Sequence, residues 1–109
     1  MSDLIEIRNI LRRFASERNW ERYHSPKNLA MALAVETGEL MEHFQWMTET
    51  ESRDVPEEKW QQIAEEVADV LIYTIQIADR LDIDLARAAR AKIESNALKH
   101  PISQRALFD

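Results

Sequence analysis

Leu4, Ile7, Ile10, Leu11 and Phe14 recur at intervals of one, three and four residues, with charged residues between them, so the opening segment has one apolar face. That period is helical. Asp3 followed by Glu6 has the spacing of a capping box, which predicts a first helix starting here and ending near Asn19. After a short loop from Trp20 to Ser25, Ser25 and Pro26 suit the N-cap and first-turn positions of a second helix. This helix carries Leu29, Leu33, Leu40 and Phe44 on one stripe and is expected to end near Gln45. Residues 46–55, WMTETESRDV, read as an exposed loop. Pro56 can open a third helix running to about Leu81, and Asp82 or Asp84 can cap a fourth from Leu85 to about Lys99, which Pro101 stops. Four helices with short links predict an all-α, four-helix bundle.

Composition agrees with that pattern. The chain has 109 residues, of which 45% are hydrophobic, and no repeat or low-complexity segment, so residues 1–109 are expected to form a single domain. One glycine and three prolines leave little of the turn chemistry that a many-stranded sheet needs at each reversal. There is no cysteine, which excludes disulfides, thiolate nucleophiles and cysteine-bound zinc. The N-terminus MSDLIEIRNI lacks the apolar core of a signal peptide, and no stretch approaches the ~18 apolar residues of a membrane span. A soluble, cytoplasmic protein without a membrane partner is the expectation.

The net charge of -6 is unevenly spread. From Glu36 to Asp69 there are 11 acidic residues against Arg53 and Lys59, a balance of -9, whereas the remainder has 12 basic and 9 acidic residues, a balance of +3. So acidic a middle repels duplex nucleic acid but leaves open a small phosphate ligand bridged by cations.

Acids three residues apart are common here, with seven such pairs, so spacing alone selects nothing. Location does. Glu36 falls on the stripe Leu29, Leu33, Leu40, Phe44, where a core-facing helix should place an apolar residue, and Glu39 shares its side. Asp69 lies within VADVLIYTIQIA, which is apolar almost all round as a buried helix should be, and Glu66 precedes it by one turn. Four ionised carboxylates facing one another in such a setting need cations between them. Oxygen ligands without histidine or thiolate select hard ions, Mg²⁺ or Mn²⁺, over zinc. The alternative is that the acids line a solvated groove or pair with Arg and Lys of neighbouring helices. Gly38, inside the first pair, costs about 1 kcal/mol relative to alanine in a helix, and a close backbone approach would account for it.

At these residues the chain resembles a known family. The segments FASERNWERYHSPKNLAMALAVETGELMEHFQW and EEVADVLIYTIQIADRLDIDL are similar to the MazG-like, all-α nucleoside triphosphate pyrophosphohydrolases, most closely the dCTP pyrophosphatase branch. The likeness runs from about Arg8 to Pro101 and rests on E-x-x-E followed by E-x-x-D, here Glu36 to Glu39 and Glu66 to Asp69, with the uncommon strings HSPKNL, FQW and DVLIY. It implies that Glu36, Glu39, Glu66 and Asp69 hold Mg²⁺. It also implies that a pyrimidine triphosphate such as dCTP or a modified dCTP is cleaved to monophosphate and pyrophosphate, and that subunits assemble into a homotetramer, a dimer of dimers. Substrate contacts carried over by the resemblance fall on Trp20, His24, Trp46, Tyr73, Lys92 and Asn96. Where close animal relatives have a histidine facing the base, this chain has Leu11, and Thr37 replaces the usual apolar residue inside E-x-x-E.

Those positions also suit the chemistry. Trp20 and Trp46 flank the second helix and can stack on a base, an interaction worth about 1 to 3 kcal/mol, or can serve simply as core residues. Lys27 and Lys92 can neutralise phosphate charge or lie solvated. His24 can donate to phosphate or orient its loop, and Tyr73, one turn beyond Asp69, can steer a ligand carboxylate or the sugar, or be an ordinary buried tyrosine. Glu36 or Glu39 would take the proton of an attacking water. A rival of another class is a catalytically silent helical module, antitoxin-like, whose charged stripe is a docking face.

Overall fold

The computed structural model describes residues 2–102 and contains helices but no strand among them. Five α-helices occur among the described residues rather than four: α1 (Asp3–Glu17), α2 (Pro26–Glu42), α3 (Glu49–Ser52), α4 (Glu57–Arg80) and α5 (Leu85–Lys99), with a 3-10 turn at Glu21–Tyr23. The additional helix, α3, lies inside the segment expected to be a loop. Its cause is local: the Thr48 side chain accepts from the Glu51 N–H while Glu51 accepts from the Thr48 N–H, a complete capping box. The capping box expected at Asp3 and Glu6 is replaced by Ser2, which accepts from the Ile5 N–H and leaves Asp3 as the first helical residue. Pro56 is the N-cap of α4 rather than its first residue.

α1 and α4 both end without glycine. Asn19 (φ 56°) and Asp82 (φ 54°) take the left-handed conformation just past each helix. The N–H of the following residue then returns to the last turn, Trp20 to Ala15 at 3.0 Å and Ile83 to Ala78 at 2.8 Å, so each helix closes with a Schellman motif. Asp84, rather than Asp82, caps α5 by accepting from the Arg87 N–H.

α2 packs most extensively against α4, and α1 against the C-terminal part of α4. Leu29 of α2, Ala15 of α1, and Ile75 and Ala78 of α4 are the buried core. Across the top of this core, Arg12 donates to Asp79 from Nε at 2.9 Å and again through its second guanidine nitrogen, tying α1 to α4. The expectation that α4 is buried all round is corrected here: Trp60 (59% exposed), Val67 (50%) and Leu71 form an uncovered stripe, and Met31, Val35 and Met41 form another on α2. The radius of gyration, 17.7 Å, exceeds the roughly 13 Å of a compact chain of this length. No helix is long and apolar enough to cross a membrane among the described residues.

Candidate active site

The Ser25 side chain accepts from the Asn28 N–H at 3.1 Å and starts α2 with Pro26 in its first turn. From that start, Leu29, Leu33, Glu36 and Leu40 fall on the side turned to α4, so the core-facing register delivers a carboxylate onto α4. Glu36, Glu39 and Glu66 converge there, each offering an oxygen within 4.8 Å of the others. Glu36 and Glu66 each hold one carboxylate oxygen, Oε2, shut off from solvent with no hydrogen-bond partner, and Glu39 is exposed.

Crowding of like charge sets the electrostatics. The Glu36 carboxyl is pushed up to about 7, first by its contact with Glu66, then by burial, by Glu39 and by the charge of Asp69. Two buried, unpartnered carboxylate oxygens and a carboxyl that resists ionisation are what an acidic cluster looks like without its counter-ion. The donor set, all carboxylate oxygen, fits a hard divalent cation.

Asp69 is not one of the three converging acids. One turn along α4 from Glu66, it lines an adjoining cavity of about 260 Å³ together with Leu11, Phe14, Trp20, His24, Ile72, Tyr73 and Gln76. Three elements build the walls. α1 supplies Leu11 and Phe14, and its Schellman ending delivers Trp20, which meets Phe14 edge-on with ring centroids 5.6 Å apart. The 3-10 turn is pinned to α2 by Asn28 Nδ2, which donates to the Tyr23 carbonyl at 3.0 Å, and it brings His24 edge-on to Trp20 at 6.4 Å. From α4 come Asp69, Ile72, Tyr73 and Gln76, one helical face. His24 is held below its usual range, mainly by burial and then by the charge of Arg80, with Glu21 opposing, so its ring is neutral at neutral pH. Its Nδ1 is shut off from solvent and unpartnered.

Of the residues expected at a site, Glu36, Glu39 and Glu66 are thus brought together, and Asp69, Trp20, His24 and Tyr73 meet at the cavity beside them. The others are not. Trp46 is 88% exposed, and Lys27, Lys92 and Asn96 are exposed and line neither the cavity nor the cluster. Lys92 and Asn96 lie on α5, which has no extensive packing against another helix among the described residues. Gly38 has open space around it, so no backbone among the described residues approaches it. Leu11, Phe14, Ile72 and Gln76 were not among the expected ligand contacts. Gln76 did carry a signal, being the one amide in VADVLIYTIQIA and two turns from Asp69 on the same face.

Comparison with known proteins gives a consistent set of relatives. The dCTP pyrophosphatase 1 of Mus musculus is 41% identical over 101 residues, which are 91% of this chain and 59% of that protein. The dCTP pyrophosphatase 1 of Homo sapiens is 42% identical over 101 residues, 90% of this chain and 59% of that protein. The chain therefore spans about six tenths of the length of these relatives. Among solved structures, a pyrophosphatase from Archaeoglobus fulgidus DSM 4304 superposes with a TM-score of 0.86 at 39% identity, covering 94% of this chain and 95% of that one. Residues 31–106, which include all four candidate metal ligands, match the MazG-like family. With that match and with Glu36 and Glu39 of α2 facing Glu66 of α4, the chain belongs to the MazG-like family.

Proposed function

We propose that this chain is a nucleoside triphosphate pyrophosphohydrolase that cleaves a pyrimidine deoxynucleotide, such as dCTP or a modified dCTP, to its monophosphate and pyrophosphate. The observation that carries the reading is continuity: the converging acids Glu36, Glu39 and Glu66 pass, through Asp69, directly into a cavity walled by Trp20, Phe14 and Tyr73. Phosphates at the acids and a base against the aromatic walls would occupy both. Glu36, Glu39, Glu66 and Asp69 would hold Mg²⁺, which when bound supplies Lewis acidity to the phosphoryl oxygens and lowers the pKa of water.

The remaining work belongs to the chain. Glu39, the solvent-exposed member of the three, takes a proton from the attacking water. The water oxygen bonds to the α-phosphorus as the bond from that phosphorus to the bridging oxygen breaks, and pyrophosphate leaves as one unit. Neutral His24 and the Tyr73 hydroxyl fix the sugar, and Trp20 holds the base. Trp46, Lys27, Lys92 and Asn96 reach the substrate from a second copy, because within one chain they stand exposed and outside the cavity. The uncovered stripes Met31, Val35, Met41 and Trp60, Val67, Leu71 support assembly into a homo-oligomer, as a dimer of dimers. A stable monomer in sedimentation at micromolar concentration would exclude that assembly.

The bond broken is tested in ¹⁸O-labelled water. Label in the nucleoside monophosphate is expected. Labelled orthophosphate with a nucleoside diphosphate as co-product would overturn the mechanism even with every metal ligand correct.

A further inference from the structure

Asp69 and Gln76 stand at the two ends of the α4 face that lines the cavity, seven residues and so about 10 Å apart along the helix axis. A pyrimidine nucleotide whose α-phosphorus sits at the acids directs the far edge of its base toward Gln76. At that end Leu11 and Phe14 of α1 and Ile72 of α4 offer no polar side-chain atom, and the Gln76 amide makes no hydrogen bond to any described residue. Beside His24 and Tyr73, which the proposed function assigns to the sugar, Gln76 is the neutral group of the cavity able both to donate and to accept, and no hydrogen bond to a described residue fixes which way it points.

We propose that Gln76 reads the Watson–Crick edge of the base and that its unanchored amide accepts both 4-amino and 4-oxo pyrimidines. Against cytosine, Gln76 Oε1 accepts from the N4 amino group while Nε2 donates to N3. Against uracil or thymine, a half-turn of the amide lets Nε2 donate to O4 while Oε1 accepts from the N3–H. An amide clamped by a hydrogen bond would choose one of these, whereas this one makes none to a described residue, although Arg12 and Asp79, which pair with each other, lie on its other side. The inference rests on the reading of the cavity as the base pocket, and it adds the residue that sets base preference and the breadth of that preference.

Binding separates it from hydrolysis. Titration calorimetry with the α,β-imido analogues of dCTP and dUTP, in Mg²⁺, should give wild-type affinities within about tenfold of each other, less than a fixed base contact would impose. Gln76→Glu, which can only accept, keeps one hydrogen bond to either base, from cytosine N4–H or uracil N3–H, and sets its other oxygen against N3 or O4, so both affinities should fall by about tenfold or more with their ratio unchanged. Gln76→Leu should weaken both by about tenfold and leave their ratio unchanged. If either variant loses its helical circular dichroism, Gln76→Asn, an amide one methylene short, should weaken both analogues without changing their ratio. Wild-type affinities in all variants, a wild-type preference above about a hundredfold, or no binding of either analogue would each overturn the proposal. A wild-type chain that binds both analogues yet releases no pyrophosphate from dCTP would remove the hydrolytic reading and leave Gln76 as the base-reading residue.

Discussion

Toward its C-terminal end α4 buries Ile75 and Ala78 and sets Asp79 against Arg12; toward its N-terminal end it leaves Trp60 and Val67 half-exposed or more and sets Glu66 against Glu36 and Glu39. The carboxyl groups record the difference. Asp79 is held below the usual range, chiefly because Arg12 donates to it, while Glu36 is pushed up to about 7, chiefly by Glu66. Both halves belong to one continuous helix of similar amphipathic pattern. In one, charge and apolar surface are satisfied within the chain. In the other, both are left without partners among the described residues, as the proposed cation site and the proposed subunit contact would require. The proposed metal site draws on the unsatisfied half, because binding free energy comes from groups that folding has left without partners.

The sharpest break in this contrast is Glu39→Gln, which keeps the size of the side chain and removes one charge from the converging acids. Pyrophosphate release should fall by at least about 100-fold, since losing even a supporting contact around a metal typically costs 10–100-fold. Helical circular dichroism should be unchanged. Turnover near wild type at saturating Mg²⁺ would take the acids out of the metal site.

Stability offers a second test, in which the two halves should respond in opposite directions. A raised folded-state pKa favours the protonated form, so the contribution of Glu36 is present below about pH 4.5 and is lost as pH rises through about 7. In metal-free buffer at pH 8, Glu36→Gln should therefore melt a few degrees above the wild type, with the gap narrowing toward pH 5. Saturating Mg²⁺ should reverse the order. Asp79 has a lowered folded-state pKa, so its contribution is present above its unfolded value of 3.8 and is lost as pH falls through the folded one. Asp79→Asn should cost about 1 kcal/mol at pH 8, with or without Mg²⁺, because Arg12 is half-exposed and the pair is partly screened. Thermal melts of both variants across pH, with and without Mg²⁺, check this, and parallel behaviour would erase the distinction.

The satisfied half was the more legible in the sequence. Helical periodicity marked α1, α2 and α4 because each buries a face on a neighbour within the chain, α5 was marked by its cap and by Pro101, and Glu36 and Asp69 stood out as charges at core-facing positions. α3 was missed because it is four residues long and has no apolar face to reveal it; its only signal is Thr48 and Glu51 at capping-box spacing inside a polar run. The reading of α4 as buried all round failed for a different reason. Apolar pattern alone does not say that a position is covered within the chain, and Val67 stays half-exposed despite its place in VADVLIYTIQIA. The same limit applies to Trp46, Lys92 and Asn96, whose sequence context gives no sign of where they lie relative to the acids.

The smallest expected effect is at Gly38, and it bears on what covers the unsatisfied half. Gly38 lies between Glu36 and Glu39 and follows Met31 and Val35 along the uncovered stripe of α2, at spacings of seven and three residues. A methyl group added there meets nothing within 4 Å, and the backbone has ordinary helical torsions, so the chain itself gives no reason for glycine. Gly38→Ala should accordingly stabilise the fold by up to about 1 kcal/mol, the helix-propensity difference between the two residues, and raise the melting temperature by several degrees. Metal affinity should not change, because the Cα of Gly38 points away from the converging carboxylates on the core-facing side. A lower melting temperature accompanied by a smaller sedimenting species would instead mean that a second copy's backbone packs against Gly38 so closely that a methyl group separates the two. In that case the stripe Met31, Val35 and Met41 would be the subunit contact, and the acids of α2 would lie on the opposite side of the same interface helix.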